Sequence, residues 1–353
     1  MSQPDDLDHL VRLLPKVELH VHLEGSIRPE TLLALAQRRR VTLPADDVEG
    51  VRQWFQFESF EHFVDIYLTC CRCLRDPEDF QLVAEQFLTD QARQNVLYTE
   101  IHFTIATHLA NGANGLEVAE ALWETLCDVE RKQGIKARLI PDIVRNTGVE
   151  WAEKTLQWAL DGRDLGVVAL GLSGFEEIPD DDFREHFRLA AEEGLRKVAH
   201  AGEHKGPETI WSALDVCGAE RIGHGIRAIE DPELVERLRD EEVALEVCPS
   251  SNVRLGAVDS LASHPFDQLE SAGVQVTINS DDRLFFETTL SDEYLRLAQI
   301  FGYDIEKLAN FSRRALTFAF LDPETRTWLE RQYDDRLEEL GIRCETTRLS
   351  VDR

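Results

Sequence analysis

The chain has 353 residues, 43% hydrophobic and 30% charged, which excludes a disordered or fibrous protein and allows a large buried core. Its net charge of −29, from 38 basic and 67 acidic side chains, repels phosphate backbones and anionic headgroups, so neither nucleic acid nor a membrane surface is an expected partner. No apolar run reaches the ~18 residues of a membrane span, and Met1 to His9 is acidic and polar rather than basic and then apolar, so a cytoplasmic protein is expected.

In chain order, a first strand is expected at Val17–Leu23. About 70 residues then separate it from the next apolar run, too many for one crossover helix. Helical periodicity near Pro29–Ala36, Phe60–Leu74 and Phe80–Asn95 assigns this stretch, approximately 28–95, to an inserted helical segment. Cys70, Cys71 and Cys73 fall in the second of these patterns. With no second cysteine pair at zinc-finger spacing they read as thiols packed on or beside a helix, and seven unevenly spaced cysteines suit a reducing compartment.

Seven further strands are expected at Leu97–Phe103, Ala137–Ile143, Val167–Leu172, Lys197–Ala201, Arg221–Gly225, Ala244–Cys248 and Val274–Asn279, each followed by an amphipathic stretch. Runs such as Val167–Leu172 are too apolar for half-solvated strands and point to parallel strands covered on both faces. Eight such units predict a (β/α)8 TIM barrel. Leu290–Ile300, Ile305–Phe320 and Thr325–Leu340 add C-terminal helices, and without a linker or fixed-length repeat one domain spanning 1–353 is the simplest organisation.

The chemistry-bearing residues sit where these strands end. His20 and His22 alternate on one strand face and can reach one metal, although that spacing alone is as compatible with structural histidines. His200 and Glu203 follow the fifth strand, His224 closes the sixth, and Asp281 and Asp282 close the eighth. The C-terminal ends of barrel strands form one mouth, so four chain segments would deliver these groups to one site.

His20-Val21-His22-Leu23-Glu24-Gly25-Ser26, His200-Ala201-Gly202-Glu203, Arg221-Ile222-Gly223-His224-Gly225, Leu245-Glu246-Val247-Cys248-Pro249-Ser250-Ser251-Asn252 and Asn279-Ser280-Asp281-Asp282 together resemble the ordered motifs of the adenosine deaminase family, over about Leu14 to Phe320. The resemblance implies a hydrolase that replaces the 6-amino group of a purine nucleoside with oxygen and releases ammonia. By the same resemblance His20, His22, His200 and Asp281 hold one Zn2+. Glu203 exchanges a proton with the purine N1, His224 and Asp282 orient and deprotonate the attacking water, and the Gly174 N–H meets N3. No catalytic role falls to Cys248.

Several residues depart from the adenosine-selective pattern. Glu24, near the ribose, and Phe175 stand where Asp and an acidic residue are usual, and Arg283 stands where Pro is usual. These favour a 6-aminopurine nucleoside with a bulky 5′ group, of which aminodeoxyfutalosine is one, over adenosine alone. Adenine deaminase is the alternative, although relatives specific for adenine tend to carry Asp-Ser-Ser-Glu in place of Leu172-Ser173-Gly174-Phe175-Glu176. A two-metal amidohydrolase is a further rival, but the lysine that usually bridges two ions is absent from that stretch. Arg283 either meets a carboxylate or alters its turn, and these features are compatible with a homo-oligomer.

Overall fold

In the computed structural model, which describes residues 4–344, eight parallel strands run in sequence order around one sheet: β1 (Lys16–His22), β2 (Val96–Phe103), β3 (Lys136–Val144), β4 (Ala169–Ser173), β5 (Arg196–Ala201), β6 (Arg221–His224), β7 (Ala244–Val247) and β8 (Gln275–Ile278). The expected strands are all present, with ends displaced by at most two residues. The first three and last nine residues of the expected 1–353 span lie outside the described residues. β1 and β2 are buried along their whole length, as strands covered by a packed interior on one side and helices on the other must be.

The barrel closes through side chains as much as through a ladder. The Asp281 N–H donates to the His20 carbonyl at 3.1 Å, and the His22 N–H donates to the Asp281 carbonyl at 3.2 Å. Asn279 Oδ1 accepts from the Leu19 and His20 N–H groups at 2.9 and 3.1 Å, and Ser280 donates through N–H and Oγ to the buried Glu18 carboxylate. The seam between β8 and β1 is therefore built from residues flanking the expected site.

The inserted segment folds as helices over Pro29–Arg39, Val48–Trp54, Phe60–Cys73 and Pro77–Arg93, the second of which the sequence pattern did not reveal. Side chains start them: Asp47 accepts from Gly50 N–H, Ser59 accepts from His62 N–H, and Asp79 reaches back to the Asp76 N–H at 3.0 Å. Cys70, Cys71 and Cys73 are free, buried thiols along the third helix, as expected. The C-terminal helices Leu290–Phe301, Ile305–Phe318 and Pro323–Leu340 are capped by Thr289, Asp304 and Asp322 and pack on the barrel exterior. Among the described residues no helix is long and apolar enough to cross a membrane.

Candidate active site

The ends of three strands, β1, β5 and β8, bring His20, His22, His200 and Asp281 together. His22 Nε2 lies 3.2 Å from His200 Nε2 and 3.4 Å from Asp281 Oδ1, and His20 Nε2 lies 3.9 Å from the same carboxylate oxygen. Neutral imidazole carries one proton, and for two of these rings its position follows from the partner of the other nitrogen. His200 Nδ1 faces the Leu172 carbonyl at 3.0 Å, which can only accept, and His20 Nδ1 faces the Glu246 carboxylate at 2.8 Å. Both rings therefore turn an Nε2 lone pair inward, and His20 Nε2 has no hydrogen-bonding partner. Burial, followed by the neighbouring imidazoles, pushes both histidines well below their ordinary pKa, which keeps them neutral.

Converging lone pairs beside a carboxylate repel unless a cation lies between them. Tetrahedral ligands at ~2.0–2.1 Å from a zinc ion stand about 3.3 Å apart, close to the 3.2 and 3.4 Å from His22 to His200 and Asp281 and shorter than the 3.9 Å from His20 to Asp281. The four residues thus fit one metal, with Glu246 and the Leu172 carbonyl orienting two of the ligands from behind. Asp281 holds a left-handed backbone, φ 58°, and His224 does too, φ 61°, at the two strand ends that face this nest.

The remaining expected groups line the same cavity. Glu203 is nearly buried, and its Oε1 lies 3.4 Å from His224 Nδ1. Burial first, then the charges of Asp281 and Glu176, raise the Glu203 carboxyl well above the ordinary range, which favours its protonated form. Glu176 also accepts from the N–H groups of Glu203 and Lys205, at 3.0 and 2.7 Å, and so pins the turn that carries the acid. Asp282 is buried with Oδ1 unpartnered, and Gly25 makes room for it, because a Cβ there would stand 2.0 Å from that oxygen. Burial, then Asp281, Glu24 and Glu203, raise its pKa strongly in the absence of a cation. Gly174, at φ 88°, and Phe175, 37% exposed, form part of the wall.

Two of the residues singled out in the sequence stand apart from the cavity lining. Glu24 does not reach the cavity wall: it is fully buried, and its Oε1 accepts from the Thr104 N–H at 2.9 Å, the Thr104 hydroxyl at 2.7 Å and His108 Nε2 at 2.9 Å. Burial opposes its ionisation, yet the hydrogen bonds from His108 and Thr104 hold it down to about 2. Thr104 and Tyr67, joined at 3.2 Å, present the surface expected of Glu24. Arg283 meets a carboxylate, but away from the mouth: it is 3% exposed and pairs with Asp90 at 2.7 Å, where Arg28 also binds.

Asn252, which bridges Glu203 and His224, and His264 behind it are not among the residues expected at the site. Asn252 lies inside a quoted motif and could have been singled out there; nothing around His264-Pro265 marks it. Toward solvent the cavity becomes apolar, lined by Phe60, Val64, Leu68 and Phe175, with no Lys or Arg among its lining residues.

The adenosine deaminase family model matches residues 15–335. An adenine deaminase of Streptomyces coelicolor is 40% identical over 312 residues, covering 88% of this chain and 92% of its own. An aminodeoxyfutalosine deaminase of Streptomyces avermitilis is 37% identical over 332 residues, covering 93% of each. Among solved structures, an amidohydrolase from Burkholderia ambifaria with bound zinc superposes with a TM-score of 0.88 at 25% identity, covering 97% of this chain and 94% of the other.

Proposed function

Because this chain belongs to the adenosine deaminase family, we propose that its hydrolytic deamination acts on the 6-amino group of a purine nucleoside and that His20, His22, His200 and Asp281 hold a single Zn2+. The observation that carries the metal assignment is the inward convergence of imidazole nitrogens on one carboxylate. Zinc in such a nest lowers the pKa of water from 15.7 to about 7. The bound zinc of the Burkholderia relative supports this choice of metal.

Around the metal, the chain supplies acid and base. Glu203 donates its proton to the purine N1, which turns C6 from a poor electrophile into one that water can attack. Asp282, whose Oδ1 is free, accepts the proton of the attacking water and passes it to the departing amine, which leaves as ammonia. His224, beside Asp281, orients the water. Raising the pKa of a carboxyl by burial and adding a base across the site separates the two proton-transfer roles.

The apolar outer wall supports an uncharged or bulky 5′ substituent, while the absence of Lys and Arg from the lining residues weighs against a 5′-phosphate. Free adenine is the second reading, favoured by the 40% identical adenine deaminase. Ammonia release from adenosine, 2′-deoxyadenosine, 5′-methylthioadenosine, aminodeoxyfutalosine and adenine, compared by kcat/KM, separates the two. The nucleoside reading expects aminodeoxyfutalosine or 5′-methylthioadenosine at or above adenosine and adenine well below; adenine ahead of every nucleoside overturns it. The acidic surface and the cytoplasmic setting expected from the sequence suit a soluble metabolic enzyme acting on a small molecule.

A further inference from the structure

A buried chain of three groups, the Phe266 N–H, His264 and Asn252, runs behind the acid. The Phe266 backbone N–H, which can only donate, faces His264 Nδ1 at 3.1 Å. His264 Nδ1 is therefore an acceptor, and the proton of the neutral ring sits on Nε2. Burial pushes His264 down to about 4, so it is neutral at working pH. His264 Nε2–H then donates to Asn252 Oδ1 at 3.2 Å. That contact settles which way the Asn252 amide points: Nδ2, with two hydrogens, faces Glu203 Oε1 at 2.8 Å and His224 Nδ1 at 3.1 Å. Asn252 and His264 are 0% and 2% exposed, so solvent does not compete for these bonds.

We infer that Asn252, held by His264, is a positioning residue that places the acid proton of Glu203 on Oε2 and the proton of neutral His224 on Nε2. The inference rests on the reading of Glu203 as the acid. Oε1 accepts the Asn252 N–H, so the carboxyl hydrogen occupies the other oxygen. Nδ1 of His224 likewise accepts, which directs its N–H toward Asp281, 3.9 Å away. Without the amide, Glu203 Oε1 and His224 Nδ1 face each other at 3.4 Å with nothing between them. Glu203 then relieves that contact by moving its proton to Oε1 and donating it to His224, which withdraws the proton from N1. The amide thus prevents an unproductive hydrogen bond between the two groups it joins.

The test uses zinc-loaded protein with adenosine and with adenine as substrates, and compares Asn252→Leu, His264→Leu, His264→Gln and Glu203→Gln. Asn252→Leu keeps its zinc and its KM within about threefold while kcat falls by about 10²-fold, the scale of a lost general acid. His264→Leu, which frees the amide to turn, loses about tenfold in kcat. His264→Gln, whose amide N–H replaces Nε2–H, recovers threefold or more of that loss. Added to Glu203→Gln, Asn252→Leu costs far less than on the wild-type background, because it acts through a group already disabled. Asn252→Leu within threefold of wild-type kcat, or equal losses in both His264 variants, or matching losses of zinc, overturns the inference while a defective Glu203→Gln leaves the acid assignment standing. Glu203→Gln at wild-type kcat overturns the acid assignment and this inference with it.

Discussion

The two ends of the barrel interior bury charge in opposite ways. At the N-terminal floor, Arg221 at the start of β6 spends its guanidinium on Glu246, Glu100 and the Phe318 carbonyl, and Glu100 also accepts from Tyr98 Oη and the Phe320 N–H. The Arg221, Glu100 and Glu246 side chains are almost fully enclosed and mutually paired. At the C-terminal mouth, burial is similar but His20 Nε2 and Asp282 Oδ1 have no hydrogen-bond partner. A buried polar group left unpaired costs about 1–3 kcal/mol, so unpartnered atoms gathered in one nest support the metal and substrate proposed there. Glu246 ties the ends together, one oxygen on Arg221 and the other on His20 Nδ1.

The largest effect is expected at the mouth. His20→Ala, His22→Ala and His200→Ala each remove a ligand that water does not replace with equal affinity, and each should abolish both stoichiometric zinc and activity while the chain stays folded. Metal analysis of the purified variants checks this, and full zinc in all three breaks the contrast between the ends. At the floor the expectation reverses. Arg221→Ala leaves two buried carboxylates without their cation and should cost about 3–5 kcal/mol of stability in denaturant unfolding, whereas a surface pair such as Arg12 with Asp8 contributes less than ~1 kcal/mol. An unchanged unfolding midpoint in Arg221→Ala means that the floor is not structural.

A smaller effect sharpens the comparison through pH. Burial lowers the His264 pKa from 6.5 to about 4, so between these values the unfolded chain binds the proton and the folded chain does not. Stability from this group is fully present above pH ~6.5 and is lost as pH falls toward ~4, by up to about 3 kcal/mol from a displacement of this size. His264→Gln removes the titration, so its unfolding free energy should fall less steeply than wild type over that window. Parallel pH curves for the two proteins would show that His264 titrates as it does in water.

These contrasts also show what a sequence makes legible. The eight strands were readable because strands buried on both faces are short apolar runs, and the cluster of His20, His22, His200 and Asp281 because a strand places alternate side chains on one face and a barrel gathers strand ends. The Val48–Trp54 helix was missed because only Val51 of its seven residues is buried, too little for a periodic signal. Depth is not encoded locally either: Glu24 follows the histidine pair closely, yet it stands one layer behind Thr104. Arg283 follows the paired aspartates but turns to Asp90, a partner 193 residues away. Asn252 and His264 meet through the fold, and no spacing announces a hydrogen bond between a helix residue and a loop histidine.

The smallest effect lies at the rim, where the mouth stops being polar. Phe175 is 37% exposed with its ring 5.7 Å from that of Phe60, and Phe60 in turn lies 4.9 Å from the ring of His204. The proposed nucleoside would lay on this shelf the part that extends beyond its purine ring. Burying ~50 Å2 of apolar surface against it contributes about 1.3 kcal/mol, close to a tenfold change in kcat/KM. Phe175→Ala should therefore lower kcat/KM for 5′-methylthioadenosine by about tenfold, leave adenine within twofold, and keep zinc. The change should fall in KM more than in kcat, because contact with a non-reacting part of the substrate is present before and during the chemistry. An equal loss for adenine and the nucleoside would place Phe175 against the purine itself, and the polar interior and apolar rim would then be one binding surface instead of two.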